Sequence, residues 1–208
     1  MNLKSLAYTV PAIALSFCAN SSPAWAQAPA DLHKRLSDLK QIEIGAGLTR
    51  IRNAEGDGRD AQIFYALRDD VSAWGFGVYI VTMPTRVWPD KPAWNIVGIE
   101  TDDHDLDVQI ADQPHTRDDD LKAVRFARGK LDGVTDTFLI TATRDPDSPV
   151  ADAASTAIRI YSLGNHEDEG FGTTPDRFDL VFSYTTARKY SDADDALLDE
   201  LKLPLPPD

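Results

Sequence analysis

Apolar and polar residues alternate with a period of two over most of the chain, from residue 42 to residue 184. This alternation is typical of β-strands that bury one face. One segment, residues 76–83 (FGVYIVTM), is apolar on both faces, so we expect it to be a central strand. The segments in which the pattern predicts strands are 63–67, 76–83, 94–99, 104–111, 122–126, 136–143, 157–163 and 178–184.

Helical periodicity occurs at both ends of this β region. In residues 31–41, Leu32, Leu36 and Leu39 recur at positions i, i+4 and i+7, which predicts a short amphipathic helix. In residues 192–201 a second helix is expected, with Ser191 as its N-cap and Asp194 at the N3 position. The sequence therefore predicts a mainly β fold, with antiparallel sheets and a short helix at each end.

An Asp-Gly pair occurs twice between apolar runs, at Asp57-Gly58 and, about 75 residues later, at Asp132-Gly133. Both residue types tolerate positive φ angles, so Asp-Gly between alternating segments is a strong hairpin signal. The repeat predicts two related β halves. We place the N-terminal half, with the leading helix, at residues 27–115, and the C-terminal half, with the last helix and a Pro-rich tail, at residues 116–208.

The first 26 residues have the pattern of a secretory signal peptide. Lys4 provides the positive charge, residues 6–17 form an apolar core, and Ala24-Trp25-Ala26 fits the small-x-small cleavage pattern. The apolar core is too short for a membrane-spanning helix. We expect cleavage after residue 26 and a periplasmic or secreted mature protein, which would lack cysteine because Cys18 is the only one in the chain.

The chain has a formal net charge of −13 at pH 7. This charge disfavours nucleic acids and anionic membrane surfaces as partners, because both would repel it. We therefore expect no nucleic-acid partner, and no membrane association after the signal peptide is removed.

The first Asp-Gly turn has some features of a calcium loop. Asn53, Glu55 and Asp57 hold loop positions 1, 3 and 5, Gly58 holds position 6, and Asp60 arrives early at position 8. In the second copy, Arg128 and Lys130 stand at positions 1 and 3, where cations would repel a metal. We expect solvated turns and no bound cofactor, and calcium held by Asn53, Glu55, Asp57 and Asp60 is the alternative.

No complete catalytic motif is present. The four histidines lack the spacing of a zinc motif, and neither a phosphate-binding loop nor a G-x-S-x-G elbow occurs. Ser37-Asp38-Leu39-Lys40 matches S-x-x-K of the serine β-lactamases, but the S-D-N and K-T-G partners are missing. We therefore predict a protein that is not an enzyme.

Four segments of the chain carry further motifs, and their order along the sequence is informative. Residues 42–81 contain a glycine-bearing strand, the turn N-A-E-G-D-G-R-D and an apolar strand, and residues 131–144 contain the second hairpin. Residues 160–170 carry Y-x-L-x-N-x-E, and residues 189–196 read KYSDADDA. In this order the segments resemble carbapenem self-resistance proteins of the CarG type, and the resemblance spans nearly all of the mature chain.

The resemblance implies a soluble periplasmic protein that protects against carbapenems by binding rather than by hydrolysis. Trp74, which stands at a family histidine, and Asn165 are the family-position residues that would line a ligand face. Ser191 replaces a family cysteine, which excludes the family's disulfide. We predict an exported binding or protective protein with a β-lactam ligand. The alternative is a structural or protein-interaction module of the envelope, with an envelope protein as its partner and no small-molecule ligand.

Overall fold

The computed structural model describes residues 29–68, 75–85, 93–101, 103, 105–114, 120–149, 151–166 and 174–205. The proposed signal peptide and Trp74 lie outside these residues. The elements of the first part are α1 (Pro29–Arg35), β1 (Leu36–Ile42), β2 (Gly47–Ile51), β3 (Ala61–Arg68), β4 (Phe76–Pro84), β5 (Trp94–Ile96), β6 (Gly98–Glu100), β7 (Leu106–Asp107), β8 (Ile110–Ala111) and β9 (Gln113–Pro114). The second part contains β10 (Asp120–Leu131), β11 (Val134–Arg144), β12 (Thr156–Asn165), β13 (Asp176–Thr185) and α2 (Ala193–Leu201).

The strands form two sheets, which confirms the mainly β prediction. The larger sheet has the order β1-β10-β11-β12-β13-β6-β7, and β9 pairs with the outer end of β10. The smaller sheet has the order β2-β3-β4-β5, with β8 also paired to β4. Since β13 and β6 run parallel, the larger sheet is mixed rather than purely antiparallel.

Two apolar cores make the molecule three layers deep. The first core lies between the sheets and is centred on Ile63, Val81, Met83, Phe126 and Phe178. The second core lies between the other face of the larger sheet and the two helices, and it includes Phe138, Ile160 and Leu197. The strands β10 and β11 thus bury both faces: their paired residues Ala127 and Phe138 face the helices, whereas Phe126 and Leu139 face the smaller sheet. Burying apolar surface on both sides of one sheet is the main stabilising contribution expected in such a layered fold.

Both Asp-Gly pairs lie in hairpin connections, as predicted. Asp132 and Gly133 form a two-residue turn between the paired Leu131 and Val134, with φ angles of 51° and 86°. Positive φ at both central residues is the type I′ pattern that suits the twist of a hairpin. The first pair lies in the longer connection between the antiparallel β2 and β3.

The N-terminal helix is shorter than expected. It ends at Arg35, and Leu36 begins β1, which pairs with β10. The pairing register shifts between Ser37 and Lys40, where Asp38 has a φ of 55°, so both residues lie on an irregular strand. The predicted helix therefore does not extend over Ser37 and Lys40, and the S-x-x-K match is not on a helix. Leu32 and Leu36 are nevertheless buried as predicted, because strand and helix deliver them to the same core.

Two predicted strands are each divided between the sheets. In the segment 94–99, the chain leaves β5 in the smaller sheet, passes the fully buried Val97 and enters β6 in the larger sheet. The Val97 amide donates to the Val81 carbonyl at 2.8 Å, which fixes the crossing point. In the described part of 104–111, β7 belongs to the larger sheet and β8 to the smaller one. The prediction of β4 as a central strand is confirmed, because it pairs with β3 on one side and with β5 and β8 on the other.

The C-terminal helix begins one residue later than predicted. Its N-cap is Asp192, whose side chain accepts a hydrogen bond from the Asp194 amide at 2.9 Å, so the assignment of Ser191 as the cap is wrong. The larger sheet combines strands from both sides of residue 115, so the proposed division into related halves stays a prediction. Within the described residues, no helix has the length and apolar character needed to cross a membrane.

Candidate functional site

A groove opens where the outer edge of β10 loses its strand partners. Pairing with β1 ends at Ile42, opposite Phe126, and pairing with β9 begins at Gln113, opposite Lys122. Residues 123–125 of β10 thus have no partner strand on this side among the described strands. An interrupted edge leaves backbone groups and space that a ligand can use.

The groove has a volume of about 660 Å³, which is within the range of small-molecule sites. One wall is the crossover from the larger to the smaller sheet, residues 43–46, and the other walls come from both sheets and α2. Its polar and aromatic lining includes Tyr65, Tyr79, Asp112, Asp120, Arg125 and Asp194.

Asp112 is held against β4 by three contacts. Its carboxylate accepts hydrogen bonds from the Gly77 amide at 2.6 Å and from the Tyr79 hydroxyl at 3.3 Å, and its own amide donates to the Gly77 carbonyl at 3.0 Å. Gly77 leaves the space for this arrangement, because a Cβ there would lie 2.3 Å from an Asp112 carboxylate oxygen and 2.7 Å from the Tyr65 ring. The aspartate position in the groove thus depends on a glycine.

The two tyrosines form an aromatic pair beside this carboxylate. The ring centroids of Tyr65 and Tyr79 are 4.9 Å apart with the planes inclined at 38°, and Tyr79 also contacts Phe126 of the core. Burial and the nearby Asp112 charge raise the pKa of both hydroxyls, which stay protonated and able to donate at neutral pH. This pair gives the groove a rigid aromatic surface with polar ends.

Carboxylates dominate the charge of the groove. Burial, followed by repulsion from Asp194, Asp112 and Asp192, raises the pKa of Asp120 to about 7. Burial also raises the pKa of Asp112. Asp194 is neutralised by the buried Arg125, with an ion-pair distance of 2.6 Å.

Arg125 is committed to the protein itself. Besides pairing with Asp194, its guanidinium donates to the Val124 carbonyl at 2.9 Å and to the Pro204 carbonyl at 3.3 Å. Arg125 therefore satisfies the Val124 carbonyl of its own strand, within the segment of β10 that has no partner strand. Through Asp194 and Pro204 it also links β10 to α2 and to the residues that follow α2. Three kinds of interaction remain for a ligand in the groove: stacking on the aromatic rings, hydrogen bonds from the tyrosine hydroxyls, and attraction of a positively charged group by Asp112 and Asp120.

The four residues proposed for calcium lie together in the first Asp-Gly loop, but an arginine lies among them. The Arg59 guanidinium donates to Asp57 at 2.5 Å and contacts Glu55. It also donates to Asp176 at the start of β13 at 2.6 Å and to the Pro84 carbonyl at 3.1 Å. The loop is thus an ion-pair cluster that fastens the smaller sheet to the larger one.

The other two residues proposed as calcium ligands, Asn53 and Asp60, form hydrogen bonds within the same loop. The Asp60 carboxylate accepts the Asn53 amide at 2.8 Å and pairs with Arg50, while the Asn53 side-chain oxygen accepts the Gly58 amide at 2.6 Å. In the described part of the chain, no group of three or more acidic, histidine or cysteine side chains is arranged to hold a metal ion. The oxygens proposed for calcium instead have protein donors as partners.

Of the two family-position residues, only Asn165 belongs to the described part of the chain. Asn165 is exposed at the end of β12, paired in register with Asp176, and does not line the groove. It therefore lies at the end of the sandwich that holds the Arg59 cluster. The placement of Trp74 is not described.

Sequence reasoning missed the groove residues. The alternation pattern predicts Tyr65 and Tyr79 only as strand residues, and no motif in the sequence marks Asp112, Asp120 or Arg125. One sequence feature does point to the groove: Arg125 shares a strand face with Ala123 and Ala127. A charged residue between small apolar ones needs a buried partner.

Comparison with known proteins gives one informative result. No protein-family model matches the chain, and no curated protein matches its sequence. A crystal structure of CarG superposes with a TM-score of 0.63 at 16% sequence identity, covering 77% of this chain and 94% of the CarG chain. At this identity the similarity is one of fold. The chain therefore has a CarG-like fold.

Proposed function

We propose that this protein is an exported, non-enzymatic binding protein that holds a small ligand in the groove beside β10. The observation that carries the proposal is the groove itself, which has a volume of about 660 Å³ and in which Gly77 holds Asp112 beside the Tyr65–Tyr79 pair. A concave site with a few positioned polar groups and aromatic walls is what small-molecule binding requires.

The charge of the groove favours a ligand with a basic group. Asp112 and Asp120 are partly buried carboxylates, and the nearby cation, Arg125, is neutralised by Asp194. A protonated amine or amidine would therefore gain attraction that a plain anion would not. If the ligand is a β-lactam, as the CarG-like fold suggests, we expect a carbapenem with a basic side chain.

Binding without turnover is supported by the residues that line the groove. No serine, cysteine or histidine is among the described residues of its lining, so a serine or cysteine nucleophile with a histidine base is not assembled there. The signal-peptide pattern in residues 1–26 supports export. Protection would then come from sequestering the ligand in the periplasm.

A drug-susceptibility test of a strain that lacks the protein examines this function. The strain is expected to become more sensitive to carbapenems with basic side chains, and the wild-type gene should restore growth. The D112N variant should fail to restore growth, whereas D145N, whose side chain does not line the groove, should succeed. Unchanged susceptibility to every β-lactam class would overturn the β-lactam part of the proposal.

A second candidate function is a protein-interaction module. The outer face of the smaller sheet carries a row of exposed apolar side chains, Leu48, Phe64, Trp94 and Ile96, each between 44% and 53% exposed. Exposed apolar patches of this kind are typical of protein contacts. Cross-linking in periplasm should then recover one defined partner with the wild-type protein but not with F64S. If both proteins recover the same material, this candidate function is wrong.

A further inference from the structure

A second cavity lies on the other side of the β9–β10 junction. Its volume is about 390 Å³, and it is bounded by β6, β7, β8 and by the face of β10, β11 and β12 that is turned toward the smaller sheet. Its polar lining includes Lys122, Thr141, Thr143, Arg159, Glu100 and Asp107. None of these residues belongs to the groove described above.

Strand register brings the two cations of this cavity to one face. Lys122 is paired with Thr143, and Thr141 is paired with Arg159, so all four side chains lie on the same side of the sheet. The same face continues into the apolar core through Val124 and Leu139. Since adjacent strands are about 4.8 Å apart, Lys122 and Arg159 flank a strip of threonine hydroxyls roughly two strand spacings wide.

Lys122 is unusual because its ammonium group has no hydrogen bond or ion pair with any described residue, although the side chain is half-buried. Burial, together with the like charge of Arg159, lowers its pKa, and Asp107 and Asp112 only partly oppose this effect. Lys130, on the same strand, is by contrast paired with Asp38 at 2.8 Å. A half-buried lysine without a counter-ion is costly unless something else supplies one.

Neither of the carboxylates that line the cavity forms a hydrogen bond or an ion pair with Lys122, although Asp107 is near enough to raise its pKa. Glu100 accepts the Leu180 amide at 2.9 Å, so one of its oxygens is used within the sheet. Asp107 is exposed on the edge strand β7. The threonine hydroxyls can donate to an oxyanion placed between the cations.

We propose that Lys122 and Arg159, with the hydroxyls of Thr141 and Thr143, form a binding site for a small oxyanion, a carboxylate or a phosphate. The anion would act as the counter-ion of Lys122 and would be held between two cations and two hydroxyl donors. This inference does not depend on the function proposed for the groove, since none of the four residues lines it.

Acetate and inorganic phosphate are the probes, with sodium chloride at equal ionic strength as the control for screening. We expect saturable stabilisation of the wild-type protein in a thermal shift assay by one or both anions, and none by chloride. Saturation by acetate alone identifies a carboxylate site, and saturation by phosphate identifies a phosphate site. The response should disappear in K122M, weaken in R159Q and persist in K130M, whose lysine lies on the same strand but is already paired.

An NMR titration of the Lys122 side chain in the wild-type protein keeps the test valid if K122M folds poorly. The bound anion should raise the Lys122 pKa toward the ordinary value of a lysine, while the Lys130 signal should not move. Equal stabilisation of wild type and K122M, or a Lys122 pKa that does not change when either anion is added, would overturn the proposal.

Discussion

The Arg128 guanidinium donates a hydrogen bond to the Asn53 carbonyl at 2.8 Å. It also reaches the Ala54 carbonyl at 3.3 Å, which accepts a second bond from the Thr137 hydroxyl at 2.6 Å. Arg128 and Thr137 flank the second Asp-Gly turn, whereas Asn53 and Ala54 belong to the loop of the first. The two similar sequence segments are therefore joined in space, and the cation that argued against a metal in the second copy stabilises the backbone of the first.

The Arg59 cluster should be important for stability. The side chains of Arg59 and Asp176 are 14% and 1% exposed, so R59M would leave a buried carboxylate without its partner. We expect a loss of about 3–5 kcal/mol in the free energy of unfolding, measured by urea denaturation. The control is R50M, which removes an ion pair whose arginine is 67% exposed and should cost less than about 1 kcal/mol. If R59M and R50M lower the free energy of unfolding by similar amounts, Arg59 does not have the proposed role of holding the two sheets together.

Calcium should not stabilise the first Asp-Gly loop. The Arg59 guanidinium already contacts Glu55 and Asp57, and a second cation between them would be repelled. The melting temperature of the wild-type protein should therefore be the same in a chelator and in excess calcium. A rise in melting temperature with calcium that is absent in E55Q would instead support the calcium alternative.

Asp192 and its neighbour Ser191 should differ in how much each stabilises the start of α2. Asp192 accepts the amides of Asp194 at 2.9 Å and Asp120 at 3.1 Å, whereas Ser191 is exposed. We expect D192A to lower the free energy of unfolding by about 1–2 kcal/mol and S191A to change it by less than about 0.5 kcal/mol. Chemical denaturation of the two variants measures this difference, and an equal cost would restore Ser191 as the cap.

The pH dependence of stability should reveal Asp120. Its pKa is raised to about 7 by burial and by neighbouring acids, so the folded protein binds its proton more tightly than the unfolded chain does. The resulting stability is present below about pH 4 and is lost as the pH rises through 7. Between pH 5 and pH 8 the wild type should lose about 1–2 kcal/mol more than D120N, a value reduced because the carboxyl is partly exposed to solvent. Urea denaturation at both pH values, with D38N as the surface control, tests this. Parallel losses in wild type and D120N would show that Asp120 titrates normally.

Local patterns predicted the strands well, because alternation and Asp-Gly turns act within a few residues. Residues 94–99 read as one strand, yet the chain changes sheets at Val97, and no local pattern distinguishes a strand from a crossing between two sheets. Leu36 fitted a helix equally well, since a leucine at i+4 is buried by either element.

The groove was beyond prediction for a similar reason. Asp112 meets Gly77 and Tyr79 only after β8 pairs with β4, a contact between residues 33 and 35 positions apart in the chain. Arg125 meets Asp194 only after α2 packs on the larger sheet. The sequence contains these residues without indicating that they converge, whereas the resemblance to the CarG type did indicate the fold that the structure confirms.

Isothermal titration of the mature protein with imipenem, a carbapenem with a basic side chain, tests the groove most directly. We expect saturable binding that is lost in D112N, weakened in Y79F and lost in G77A, whose new methyl group would displace the Asp112 carboxylate. D145N should bind as the wild type does, and an equal titration with a carbapenem that lacks a basic group should show weaker binding. No heat and no thermal shift with the wild-type protein, or unchanged binding in D112N and G77A, would contradict a carbapenem site in this groove.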